Sequence, residues 1–201
     1  MVKRANQRRR KQSRKIDILC RDFLWAQKDL IDRLETIAFC ADLCRSLLGM
    51  TDRRQIFCKA CKKLKLELDD PHIVIFLKVE GKFQTHIFES CRHKEITAAA
   101  VEDLFGDRLL EKVASSTRLW SQQELLQANL PQLKGSDPVF PPEAEPQHNF
   151  SIHATGLGQS DPEGLILLCT PASNPPSTQQ LAKLTITAQI LAKALKASQP
   201  L

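Results

Sequence analysis

From Ile16 onward, apolar side chains return every three or four residues. Ile16, Leu19, Phe23, Ala26 and Leu30 open the stripe, and Leu34, Ile37, Ala41, Cys44 and Leu48 carry it to Gly49. That spacing predicts one long amphipathic helix, with a kink or break near Lys28. Its apolar seam calls for a partner helix, taken to be that of a second copy of the chain. Thr51 and Asp52 are cap residues for a second helix reaching about Leu66, with Ile56, Phe57, Ala60, Cys61 and Leu64 turned inward. Asp69, Asp70 and Pro71 stop it.

The period then changes. His72 to Val79 is a β-branched apolar run, Glu80-Gly81 is a turn, and Lys82 to Glu89 returns as a hairpin partner. Residues 95–114 are helical again, with Gly106 between two short helices. Arg118-Leu119-Trp120 predicts a short strand, and Pro131, Pro138, Pro141, Pro142 and Pro146 mark residues 131–148 as a long loop. Asn149 to Leu157 and Gly164 to Thr170 are two further strands. Ser177 caps a last helix through about Ala197, with Leu181, Leu184, Ala188, Leu191 and Leu195 facing inward.

Strands joined by tight turns must pair antiparallel. The expectation is an α/β (α+β) domain: an antiparallel sheet of about five to six strands, with N- and C-terminal helices on one face and short helices and a loop over the other. Residues 1–15 are expected as a basic disordered arm, 16–33 as a linker and dimerisation helix, and 34–198 as the folded domain.

Charge sharpens this division. Of 29 basic residues, eight precede the first acid, Asp17, which leaves 21 against 23 acids after it. The pI of about 9.0 therefore belongs to the arm. Arg8, Arg9, Arg10, Lys11, Arg14 and Lys15 suit nucleic acid, an anionic membrane surface or an acidic protein partner, or serve only as a solvated terminus. No stretch is long and apolar enough to predict a transmembrane segment, and no signal-peptide core follows the basic start. The expected location is cytoplasmic, with the seven cysteines as thiols.

Several residues are candidates for chemistry. Cys40 and Cys44, with Cys58 and Cys61, are two pairs at helical spacing, and four thiolates from adjacent helices suit zinc or an iron–sulfur cluster. The competing reading is that Cys44 and Cys61 are small core residues on apolar stripes. His72, His86, His93, His148 and His153 are scattered. No nucleophile elbow, P-loop or metalloprotease motif is present, so the chain is not expected to be an enzyme. No cofactor is required by any motif.

Three stretches together carry a resemblance. They are Leu34 to Leu77 with its strand Ile73-Val74-Ile75-Phe76-Leu77, the glycine-led strand Gly164-Leu165-Ile166-Leu167-Leu168, and the closing helix Gln179 to Lys196. Their order resembles the GAF domain, a small-molecule sensor fold related to PAS, over most of residues 30–198. The resemblance implies a regulatory protein that holds a small ligand over the sheet and transmits its presence through the terminal helices, as a homodimer. Phe76, His86, Cys91, Ile96, Leu104 and His153 are the pocket candidates it implies. The chain departs from the marked branches. It lacks the acidic-aromatic pattern of cyclic-nucleotide binders, Arg92 separates Cys91 from His93 where bilin-attaching members have Cys-His, and the cysteines do not match the methionine sulfoxide reductase branch. Two other functions compete: a dimeric interaction module whose arm binds nucleic acid or an acidic partner, and a cysteine-based redox or metal sensor. A signalling protein is the output partner expected under the first reading.

Overall fold

The structure, a computed structural model of the chain, describes residues 2–68, 71–88, 105–129, 150–158 and 163–198. The chain divides into two compact units, residues 1–39 and residues 40–201. The first helix, α1, spans Val2–Leu47.

Within the first unit every described residue is helical. The expectation of disorder over residues 1–15 gives way to helix from Val2, and no break occurs at Lys28. The reason lies in composition: Ala, Arg, Lys and Gln are good helix formers, and neither Gly nor Pro occurs between Val2 and Leu47. Arg33 pairs with Asp29 at 2.9 Å across one helical turn, a small added support. Phe23, Trp25 and Leu30 are exposed, as are Ile16, Leu19, Leu34 and Ile37.

The second unit begins in the last turns of α1 and continues with α2 (Arg53–Leu66). The carboxylate of Asp52 accepts from the Arg54 backbone N–H at 2.8 Å, so the predicted cap starts α2, and the five predicted inward residues are all buried. Asp42 at the end of α1 pairs with Lys63 of α2 at 3.0 Å. Next come β1 (His72–Val79) and β2 (Lys82–Phe88), then α3 (Asp107–Ala114) and β3 (Trp120–Ser121). A helix without a sequence expectation follows, α4 (Gln122–Asn129). The order closes with β4 (Phe150–Leu157), β5 (Gly164–Pro171) and α5 (Thr178–Ala197). Ser177 starts α5 with a capping box: the Gln180 N–H donates to Ser177 Oγ at 3.2 Å, and the Ser177 N–H donates to Gln180 Oε1 at 2.8 Å.

The five described strands form one antiparallel sheet in the order β2-β1-β5-β4-β3. Thus β1 and β5, 85 or more residues apart in the chain, are neighbours at the centre. Both are buried on both faces, which explains their unbroken apolar runs. Register sorts the side chains. Val74 pairs with Leu167, and Leu167 with Ala154, on one face; Ile75 pairs with Ile166, and Ile166 with Thr155, on the other.

The Val74 face is covered by Phe105, by Leu109, Leu110, Val113 and Ala114 of α3, and by Leu125 of α4. The opposite face carries the fully buried Ile73, Ile75, Ile166 and Leu168. Helix α5 packs against β4 and against α2. Between these helices, Lys183 of α5 forms a short ion pair with Glu67, and Gln180 Nε2 donates to the Glu67 carbonyl at 2.9 Å. The α+β fold expected from the pattern is therefore present, with α2 and α5 on one side and α3 and α4 on the other.

Candidate functional site: the α3–α4 face of the sheet

The site grows from the corner that connects β3 to α4. Glu124 accepts from the Ser121 backbone N–H at 2.8 Å and from Ser121 Oγ at 3.0 Å, while Arg118 Nη1 donates to its other oxygen at 2.9 Å. The Ser121 donors, then Arg118, hold the Glu124 carboxyl below its ordinary pKa. The corner fixes Trp120, which pairs with Ala154 of β4 and is buried. Two cations rest on its ring, the Arg118 guanidinium at 4.0 Å and Lys112 Nζ at 5.6 Å from the centroid.

Helix α3 reaches the sheet because of one glycine. A Cβ on Gly156 would stand 2.4 Å from the Ala114 carbonyl oxygen and 2.5 Å from that of Ser116. Only a residue without a side chain lets β4 pass there. The Gly156 N–H donates to Ser116 O at 3.1 Å, fastening the end of α3 to the strand.

Phe76 of β1 lies on the same face, edge-on to Phe105 with ring centroids 6.3 Å apart. Cys169 joins this cluster, and burial pushes its thiol up to about 12. The indole N–H of Trp120 is buried and has no acceptor among the described residues. Buried donors are almost always satisfied, so this one marks a place for an acceptor.

The pocket candidates from the sequence do not share one face. Phe76 belongs to the α3–α4 side. His86 pairs with Ile75 and is exposed, and His153 pairs with Leu168, which puts both on the opposite face. The Nδ1 of His153 is buried without a partner among the described residues, and burial lowers its pKa. Cys91, Ile96 and Leu104 lie outside the described residues, as do His93, His148 and the loop 131–148. Trp120, Phe83 and Phe105 were not among the candidates. The signal that locates Trp120 is the Ser121-x-x-Glu124 capping pattern directly after it.

The four-cysteine metal centre is not assembled: among the described residues no three His, Cys, Asp or Glu side chains come together to hold an ion. Cys61 is buried, and its thiol is pushed up to about 12 by burial and by Cys58. Cys40 and Cys44 are in contact, and both line a groove of about 540 Å³ between the end of α1 and α5. A second recess of about 310 Å³ lies on the other flank of α5, with Thr117, Gly158 and Lys196 in its wall.

The arm residues Arg9, Arg10, Lys11, Arg14 and Lys15 are exposed along α1, and Arg8 lies in the same helix. No described helix is long and apolar enough to cross a membrane. Compared with known proteins, the chain matches no family model, and no curated protein matches it.

Proposed function

We propose that this chain is a GAF-like regulatory module that binds a small molecule on the α3–α4 face of its sheet and signals through its terminal helices as a homodimer. The carrying observation is the Trp120 indole, a buried donor without an acceptor among the described residues, set in the aromatic and aliphatic cluster of Phe76, Phe83 and Phe105. Ligand sites are mostly apolar with a few convergent polar groups, and a ligand carbonyl or carboxylate would complete this one. Lys112 and Arg118 stand beside the indole and favour an anionic ligand. The strand register supports the reading, since it puts Phe76 and Trp120 on one face, in a cluster that contains no residue of the closing helix α5.

A thermal-shift screen of small carboxylates and other acceptor-bearing metabolites tests it. A binder raises the melting temperature and quenches tryptophan fluorescence, and Trp120→Phe, which keeps an aromatic ring and removes the donor, loses most of the shift. If Trp120→Phe and the unaltered chain respond identically to every binder, the indole is not part of the site.

A second reading has one observation of its own: five arm cations are exposed on a continuous helix. Such a helix binds nucleic acid through phosphates, with affinity falling steeply as salt rises. Arg9→Gln, Arg10→Gln and Lys11→Gln together would abolish that binding and leave small-molecule shifts intact.

A further inference from the structure

The groove between the end of α1 and α5 holds a set of sulfur atoms that the regulatory reading leaves unused. Cys40 and Cys44 are four residues apart on α1, which puts their side chains on one face one turn apart. Cys40 is a near neighbour of Cys44, and both side chains line the groove. Met50, just past the end of the helix, lines the same groove as Cys40 and Cys44. Cys40 is partly exposed and Cys44 exposed, so an ion can enter from solvent. The remaining wall is mostly apolar, with Leu47 and Ile190, and includes the amide of Gln189 and the cation Lys193.

Two thiolates and a thioether are soft donors, which select a soft, low-coordinate ion and not zinc, whose structural sites ask for four ligands. Carboxylates, imidazoles and a third thiol are not gathered here, since no cluster of three such ligands occurs among the described residues. We infer that Cys40, Cys44 and Met50 form a binding site for a soft monovalent metal ion of the cuprous type. Binding replaces two thiol protons: the ion bonds to both sulfurs, two protons leave to solvent, and no electron is transferred. The bound centre carries one net negative charge, and Lys193 in the groove wall offsets it. Affinity therefore rises with pH, as proton competition weakens.

The test uses the full chain, reduced and under anaerobic conditions, titrated with cuprous ion against a colorimetric cuprous chelator. The unaltered protein is expected to retain one equivalent of copper that the chelator does not remove. Cys58→Ser/Cys61→Ser is expected to retain it as well. Cys44→Ser, at an exposed position that keeps the fold, is expected to lose it, with affinity falling about 100-fold or more, beyond what removal of a supporting group costs. Met50→Leu is expected to keep the stoichiometry and weaken retention about tenfold. Copper that stays equally tight in Cys44→Ser, or an unaltered chain that gives up all its copper, overturns the site. Unchanged affinity in Met50→Leu overturns the three-sulfur assignment.

Discussion

Along residues 16–37, Phe23, Trp25 and Leu30 are 68%, 65% and 57% exposed, whereas Leu43, Leu64, Leu167 and Leu184 of the second unit have no exposed surface. Both regions show apolar residues at regular spacing, yet only the second contains what those residues bury against. Helices draw most of their stability from packing an apolar face, so a helix with an open stripe depends on a partner from outside its own unit. The body, with its own sheet and two covered faces, does not. The proposed dimeric regulator rests on that asymmetry: the body buries its own core, and residues 16–37 present an open apolar stripe.

The sharpest way to break the comparison is a matched pair of truncations. Leu184→Ala in α5 should cost roughly 2–5 kcal/mol in denaturant unfolding, because the cavity it leaves is closed on all sides. Leu30→Ala should leave that unfolding transition within about 0.5 kcal/mol, the range of ordinary surface changes, when measured at concentrations where the chain is monomeric. Equal losses at the two positions would erase the distinction. Gly156→Ala comes next: the added carbon meets backbone oxygens that cannot rotate away, and unfolding should be easier by about 1–3 kcal/mol. Ser177→Ala removes the capping box of α5 and should cost about 1 kcal/mol.

The smallest effect concerns pH. Burial lowers the His153 pKa below its ordinary 6.5, so the unfolded chain takes up the proton first on acidification. Stability from this residue is complete above 6.5 and declines as pH falls below that value. His153→Gln should flatten this part of the stability–pH curve, and an unchanged curve would show that His153 remains hydrated.

Much of the body can be read from sequence because its signals are local. Asp52 and Ser177 stand where α2 and α5 start, and the unbroken runs at Ile73–Phe76 and Leu165–Cys169 declare strands buried on both faces. Helix α4 escapes that reading, since among its described side chains only Leu125 is buried, which leaves little apolar pattern to read. The pocket candidates are less legible. Facing in a strand depends on register, and a residue shifted by one turns to the opposite side. Phe76, His86 and His153 each sit in a correctly expected strand, but pairing with Ile75 and Leu168 turns the two histidines away from the Phe76 face. Trp120 has a local marker in the Ser121-x-x-Glu124 pattern, but its place on the Phe76 face shows only once β3, α4 and β4 are placed together.

Sedimentation equilibrium of the full chain tests most directly whether the open stripe on residues 16–37 serves a second copy, as a dimeric regulator requires. The expected mass at micromolar concentration is twice 22.7 kDa, returning to 22.7 kDa when Phe23→Asp and Leu30→Asp place charges in the stripe. An unaltered chain that stays at 22.7 kDa throughout that range would contradict it.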